Sequence, residues 1–422
     1  MSVLSQVKSA VMKRVIARTG GLDLTKLDKV PNRLAWPLLR DGVDPSPRVT
    51  AARAKDPVTR LTSIMGLEVW MITGYEESRE VLGNVKHSTD IRPYMGESGD
   101  VEKGDIGGLG FTDPPEHTRQ RKLLTPEFTM RRLERLKPGI EEIIEKQLDE
   151  TAAAAGDDGV VDLVQTFAFP VPFRVICDLL GLPDEQRETF RQLGTARFDV
   201  SAGGAGAVGA IGGSREFLLA ETARQRHDPG PGLIGQIVRE HGDEINDFDL
   251  GGLADGAFTG GLETSASMLA LGTLVLLQHP GLWKSLAEDP ASVDDIVEEL
   301  LRQLAVVQIA FPRFVKEDVV VGGHLIKKGS VMLTHLPAAS RDPRSTPGEQ
   351  LCPMKESSNH LAFGHGLHRC VGAELARMEL RAAYPALAKR FPNMALAVDP
   401  KQLEFHAKSI VYGIEALPVT LG

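Results

Sequence analysis

From residue 250 to residue 278 the chain is almost continuously apolar, broken by charge only at Asp255 and Glu263 and by scattered glycines. Asn246, with Asp249 three residues later, predicts a helix start, and His279-Pro280 predicts its end. About thirty residues at ~1.5 Å rise make a rod of ~45 Å. A run without a polar face predicts a helix buried all round. Gly260-Gly261 stands in its middle, where each Gly costs roughly 0.5–1 kcal/mol against Ala, so the pair predicts a close backbone approach. Val69-Trp70-Met71-Ile72-Thr73 and the run from Val319 to Leu333, punctuated by Gly322-Gly323, predict strands and hairpins. Most of the remainder reads as helix, with breaks at Leu182-Pro183 and Asp289-Pro290. The pattern holds no internal repeat. It predicts a mainly α fold with a small, mostly antiparallel β region.

Composition narrows the class. The chain has 422 residues and a formal charge of −9, which argues against a nucleic-acid binder. Cys177, Cys352 and Cys370 are too few and too scattered for a disulfide framework or a CxxC metal site. Residues 1–18 carry Lys8, Lys13, Arg14 and Arg18 without an acid, and no apolar stretch there is long enough for a signal sequence. The long apolar run is too interrupted to read as an integral membrane span. Composition agrees with an intracellular enzyme, although length alone would permit two or three domains. Between residues 119 and 137 the charge reverses: Arg119, Arg121, Lys122, Arg131, Arg132, Arg135 and Lys137 stand against Glu127 and Glu134. On an acidic protein this suggests a docking face for an acidic partner.

One thiol has chemistry-bearing surroundings. Cys370 lies in Phe363-Gly364-His365-Gly366-Leu367-His368-Arg369-Cys370-Val371-Gly372, just before the helical run from Ala373 to Met378. Free backbone N–H groups and the helix dipole at such a junction favour a thiolate. The glycines admit close backbone approach, and Phe363 can shield the sulfur from water.

This string resembles the haem-binding loop of the cytochrome P450 family at every fixed position: Phe363, Gly364, Gly366, His368, Cys370 and Gly372. The resemblance extends over nearly the whole chain from about residue 30, and it implies one catalytic domain (30–422) behind a basic N-terminal segment (1–29), in a cytoplasmic, monomeric protein. It implies the cytochrome P450 fold with the long helix crossing above a haem b, and Cys370 as the thiolate ligand of its iron, a ligand type that favours O–O cleavage. Gly260-Gly261-Leu262-Glu263-Thr264 resembles the family's segment over the distal haem face. A Thr264 hydroxyl bonded to the carbonyl four residues back opens the helix locally. Glu263 points about 100° away, so the pair implies a proton relay with Gly261 against the cofactor. Glu299-Leu300-Leu301-Arg302 matches the family's buried structural ion pair. Its third partner is left open, because Lys355 stands where relatives usually carry Arg. His117 and Arg121 share one helix face, and with Arg313, His360 and His368 they are implied to bind the haem carboxylates.

Mapped by the same resemblance, the substrate pocket takes Tyr94, Met95, Ala257, Phe258, Val306, Val307, Ile309, Ile410 and Val411. These are apolar without a charged anchor, which favours a hydrophobic small molecule such as a terpenoid, steroid, fatty acid or polyketide. The glycine-rich stretch from Ser201 to Gly206 suggests a flexible lid. The implied activity is a monooxygenase using O2 and two electrons from NAD(P)H, delivered by a separate ferredoxin and ferredoxin reductase. The alternatives are a peroxide-driven peroxygenase and a haem protein that traps a ligand without turnover.

Overall fold

The apolar run is a helix, and it organises the molecule. The computed structural model describes residues 35–422 except 65–66, 91–108, 158, 199–202, 354–358 and 407, with side chains between 194 and 212 also left aside. In chain order the principal helices are α1 (Tyr75–Gly83), α2 (Glu116–Leu124), α3 (Lys137–Ala153), α4 (Pro170–Leu180), α5 (Asp184–Phe198), α6 (Gly203–His227) and α7 (Leu233–His241). They continue with α8 (Asp247–Leu277), α9 (Pro280–Glu288), α10 (Val293–Leu304) and α11 (Ala373–Arg390). The N-terminal segment 1–29 lies outside the described residues.

Helix α8 starts as its sequence predicts. The Asn246 side-chain oxygen accepts the Asp249 backbone N–H at 2.7 Å, satisfying one orphan donor of the first turn. The helix packs against α4, α6, α10 and α11. It is long and apolar enough to cross a membrane by length and composition, but 72% of its most apolar window is buried, which makes it the core helix here. Two of its glycines are required by close packing. A Cβ on Gly261 would stand 2.5 Å from Ile176 Cδ1 of α4, and one on Gly272 would collide with the Tyr384 ring of α11. Tyr384 uses that space to donate its hydroxyl to the Met268 carbonyl.

Besides a short antiparallel pair, Arg40–Asp41 with Asp44–Pro45, the strands are β1 (Val58–Ile64), β2 (Leu67–Ile72), β3 (Val160–Asp162), β4 (Arg313–Phe314), β5 (Val319–Val321), β6 (His324–Ile326), β7 (Val331–Thr334), β8 (Ala395–Leu396) and β9 (Pro418–Thr420). One sheet runs β1-β2-β7-β4, another β8-β9-β3, and β5-β6 is a separate hairpin. All these pairings are antiparallel except β2 with β7, which joins strands some 260 residues apart in register Val69 to Val331. The region is therefore small and mostly antiparallel, as the pattern predicts. The lid reading changes: Ser201 and Ala202 lie outside the described residues, and Gly203 already begins α6.

Candidate active site

Cys370 sits between a short turn (Gly366–His368) and the start of α11. Its N–H donates to the Phe363 carbonyl at 2.9 Å, which closes the loop. Gly364 and Gly366 have φ of +69° and +73°, a region closed to most side chains. A Cβ on Gly366 would also come within 2.7 Å of the Leu82 carbonyl oxygen, so the loop lies directly on the end of α1. The Cys370 side chain is exposed. Crowding by the surrounding protein pushes its thiol up, while the Gly372 N–H, Arg121, Arg369 and Arg377 pull the other way. The helix terminus and arginines thus favour a thiolate, as the sequence suggested, against the opposing effect of the surrounding protein; a coordinated metal cation would favour it further.

Beside the thiol lies a basic cluster short of anions. His117 is fully buried and neither ring nitrogen has a hydrogen-bond partner among the described residues. Its ring centroid is 4.3 Å from that of His368, whose Nδ1 is also unpartnered. Burial, then Arg313 and His117, drive His368 down to about 4. Arg313 is 3% exposed, and burial brings it down to about 10; its Nη1 donates to the Phe311 carbonyl at 2.8 Å. Arg121, half-buried, is lowered by burial and held up by Cys370, so cluster and thiol adjoin. The nearby acid Asp113 is committed to the Ser88 hydroxyl, the Thr89 N–H and Lys316. Buried polar groups without partners beside two arginines favour an anionic ligand. The two carboxylates of a haem meet that need, with the sulfur alongside for its iron.

His87 belongs to this group and escaped the sequence reading. It is buried with both ring nitrogens unpartnered, and burial followed by Arg313 lowers it. No motif pointed to it. His360 leaves the group: its Nε2 is 3.1 Å from Glu298 Oε2, and its Nδ1 accepts the Ala362 N–H at 3.2 Å. With both nitrogens engaged, it has none for a carboxylate.

Helix α8 carries the other half of the candidate chemistry. The Thr264 hydroxyl donates to the Gly260 carbonyl at 2.6 Å, the expected back-bond. Gly256 and Gly260 are exposed in the middle of an otherwise buried helix, with Ala257 and Thr264 half-buried beside them. The open strip therefore runs through Gly256 and Gly260; Gly261 faces Ile176 instead of a cofactor. Phe258 also leaves the pocket, being fully buried with its ring 4.4 Å from Phe190. Val306, Val307, Ile309, Ile410 and Val411 do come together. Val307 bridges Val411, the Gln308 N–H donates to the Ile410 carbonyl and the Tyr412 N–H to the Val306 carbonyl, each at 2.8 Å. Tyr94 and Met95 lie outside the described residues.

The family model for cytochrome P450 matches residues 233–413. Cytochrome P450 165C4 of Amycolatopsis orientalis is 39% identical over 392 residues, 90% of this chain and 95% of that protein. The 6-deoxyerythronolide B hydroxylase of Saccharopolyspora erythraea is 34% identical, with 87% of this chain and 94% of that protein covered. Among solved structures, OxyE of teicoplanin biosynthesis superposes with a TM-score of 0.83 at 34% identity, covering 91% of this chain and 99% of that one.

The chain belongs to the cytochrome P450 family. It is a monooxygenase of that family, and its fold is the cytochrome P450 fold. In this P450 the Glu299–Arg302 pair is fully buried, with Arg302 Nε and Nη2 donating to the carboxylate at 2.7 and 2.8 Å. Among the described residues, the further partners of the pair are backbone groups and the Gln303 amide, which donates to Glu299 Oε1 at 3.4 Å. Arg302 also donates to the carbonyls of Ser340, Gly348 and Gln350, and Glu299 accepts the Cys352 N–H at 2.6 Å. Lys355 lies outside the described residues. A second cluster, unread in the sequence, uses the preceding residue: Glu298 binds Arg377 of α11 and His360 together.

Proposed function

We propose that the protein is a soluble cytoplasmic enzyme, one catalytic domain over residues 30–422, that inserts one oxygen atom of O2 into a hydrophobic small molecule. The fully buried His117, with two unpartnered ring nitrogens beside Arg121 and the open-sided Cys370 thiol, carries this reading. Haem b, when bound, supplies the one-electron chemistry that activates dioxygen. Cys370 would hold its iron through sulfur, and His117, Arg121, Arg313 and His368 would pair with its carboxylates. Thr264 can hold a proton at Oγ1 and release the Gly260 carbonyl. Glu263, on a different side of the helix, can exchange protons with solvent. Ala257, Val306, Val307, Ile309, Ile410 and Val411 exclude water and orient an apolar substrate. Relatives named for 6-deoxyerythronolide B and vitamin D(3) favour a bulky lipophilic one. Electrons from NAD(P)H reach the site through a separate ferredoxin and its reductase.

The test is the ferrous–carbon monoxide difference spectrum of the purified protein beside Cys370→Ser. A strongly red-shifted Soret band lost in the variant is expected. Haem without that band would mean another ligand or a protonated thiol, and no haem at all would sink the reading.

A further inference from the structure

We propose that Arg377 is a positioning residue for the thiolate ligand, acting on Cys370 through the ring of Phe363. The inference rests on the haem-thiolate reading above. The Arg377 guanidinium lies over the Phe363 ring, with Cζ 4.7 Å from its centroid. Phe363 in turn accepts the Cys370 N–H through its carbonyl, so the ring and the sulfur share one short loop. Three groups fix the guanidinium. Its Nε and Nη2 donate as a fork to the two Glu298 oxygens, Nη2 at 2.9 Å, and Nη1 donates to Glu374 Oε1 at 2.9 Å. His360 bonds the same Glu298 carboxylate and stands 6.0 Å from the Phe363 ring. A planar fork that is both bidentate and stacked is the arrangement lysine cannot reproduce.

The Arg377 charge lies over the ring of the residue whose carbonyl closes the loop around the sulfur. The Arg377 side chain is 13% exposed against 48% for Arg369, so solvent screens it less. Glu298, bound to the same guanidinium, opposes that field. Fixed positive charge near the ligand stabilises the reduced site, and fixed negative charge disfavours it. Arg377 and Glu298 should therefore move the haem midpoint potential in opposite directions.

The experiment is a dithionite titration with mediator dyes on the full-length holoprotein, with the ferrous–carbon monoxide spectrum recorded for each variant. Arg377→Gln is expected to shift the midpoint negative and Glu298→Gln positive, both retaining the thiolate band. Arg377→Lys keeps the charge but loses the stack, and its smaller shift should vanish in a Phe363→Leu background. General loosening of the fold cannot produce opposite signs. Where Glu298→Gln does not accumulate as holoprotein, Glu374→Gln on the more exposed carboxylate replaces it with the same expected sign. Shifts in one direction, no shift, or full additivity with Phe363→Leu would overturn the role of Arg377. A wild type without the thiolate band overturns the haem-thiolate reading, and this inference with it.

Discussion

Thr264 donates its hydroxyl proton to Gly260 while its oxygen remains able to accept, so one side chain both opens the helix and offers a relay atom. Removing it should uncouple the reaction. Thr264→Ala is expected to consume NADH at a near-normal rate while product per NADH falls on the order of a hundredfold, within the range for a positioned proton donor. Simultaneous oxygen-electrode, peroxide and product measurements check this; unchanged coupling would favour a peroxide-driven reaction. The Thr264 back-bond and the closed Cys370 loop were legible because both are written within ten residues of chain. Gly261 was not, because which of two adjacent glycines faces open space depends on helix phase, and Ile176 of α4 sets that phase. His360 misled for a similar reason: it sits beside the loop in sequence, but its partner Glu298 is 62 residues away.

Two consecutive glutamates on α10 hold the Cys loop from both ends. Glu299 grips the approach to the loop through Cys352, and Glu298 grips α11 beyond it through Arg377. The ends of α8 were readable from Asn246 and His279-Pro280, since caps and proline act locally. What joins α8 to α11 was not. Glu379 of α11 is 2% exposed, hydrogen-bonds Ser265 and leaves Oε2 unpartnered, and burial pushes it up to about 8. A carboxyl raised in the fold favours the protonated native state. Its contribution is fully present below about 4.5, falls as pH rises, and is lost once pH passes about 8. At about 1.4 kcal/mol per unit the loss is on the order of a few kcal/mol. Glu379→Gln should therefore match wild type near pH 5 and exceed it increasingly toward pH 9. Urea midpoints across that range read the difference, and parallel curves would show that Glu379 is not buried neutral.

Across the whole molecule, net charge and local charge disagree, and the fold decides which basic groups are available. The seven basic residues of segment 119–137 read as one face, but the structure divides them. Arg119 is paired with Glu116 and Asp249, Arg132 with Glu127 and Glu240, and Arg121 turns toward Cys370. Lys122, Arg131, Arg135 and Lys137 are exposed and carry no ion pair among the described residues. Sequence could not complete this division, since two of the four pairing acids, Glu240 of α7 and Asp249 of α8, lie more than a hundred residues on. It places an unpaired basic patch next to the helix that carries Arg121, on a protein whose total charge is −9. An acidic ferredoxin would meet attraction there and repulsion elsewhere, which fixes its approach more than its affinity. Arg131→Glu with Lys137→Glu should lower ferredoxin-supported turnover several-fold at low ionic strength, with the carbon monoxide band and dithionite reduction unchanged. Because exposed charges are screened over about 10 Å at 0.1 M salt, the gap to wild type should shrink as salt is raised. Equal turnover at low salt would place the docking face elsewhere, whereas a gap that salt does not close would mean that the substitutions act on folding or haem reduction.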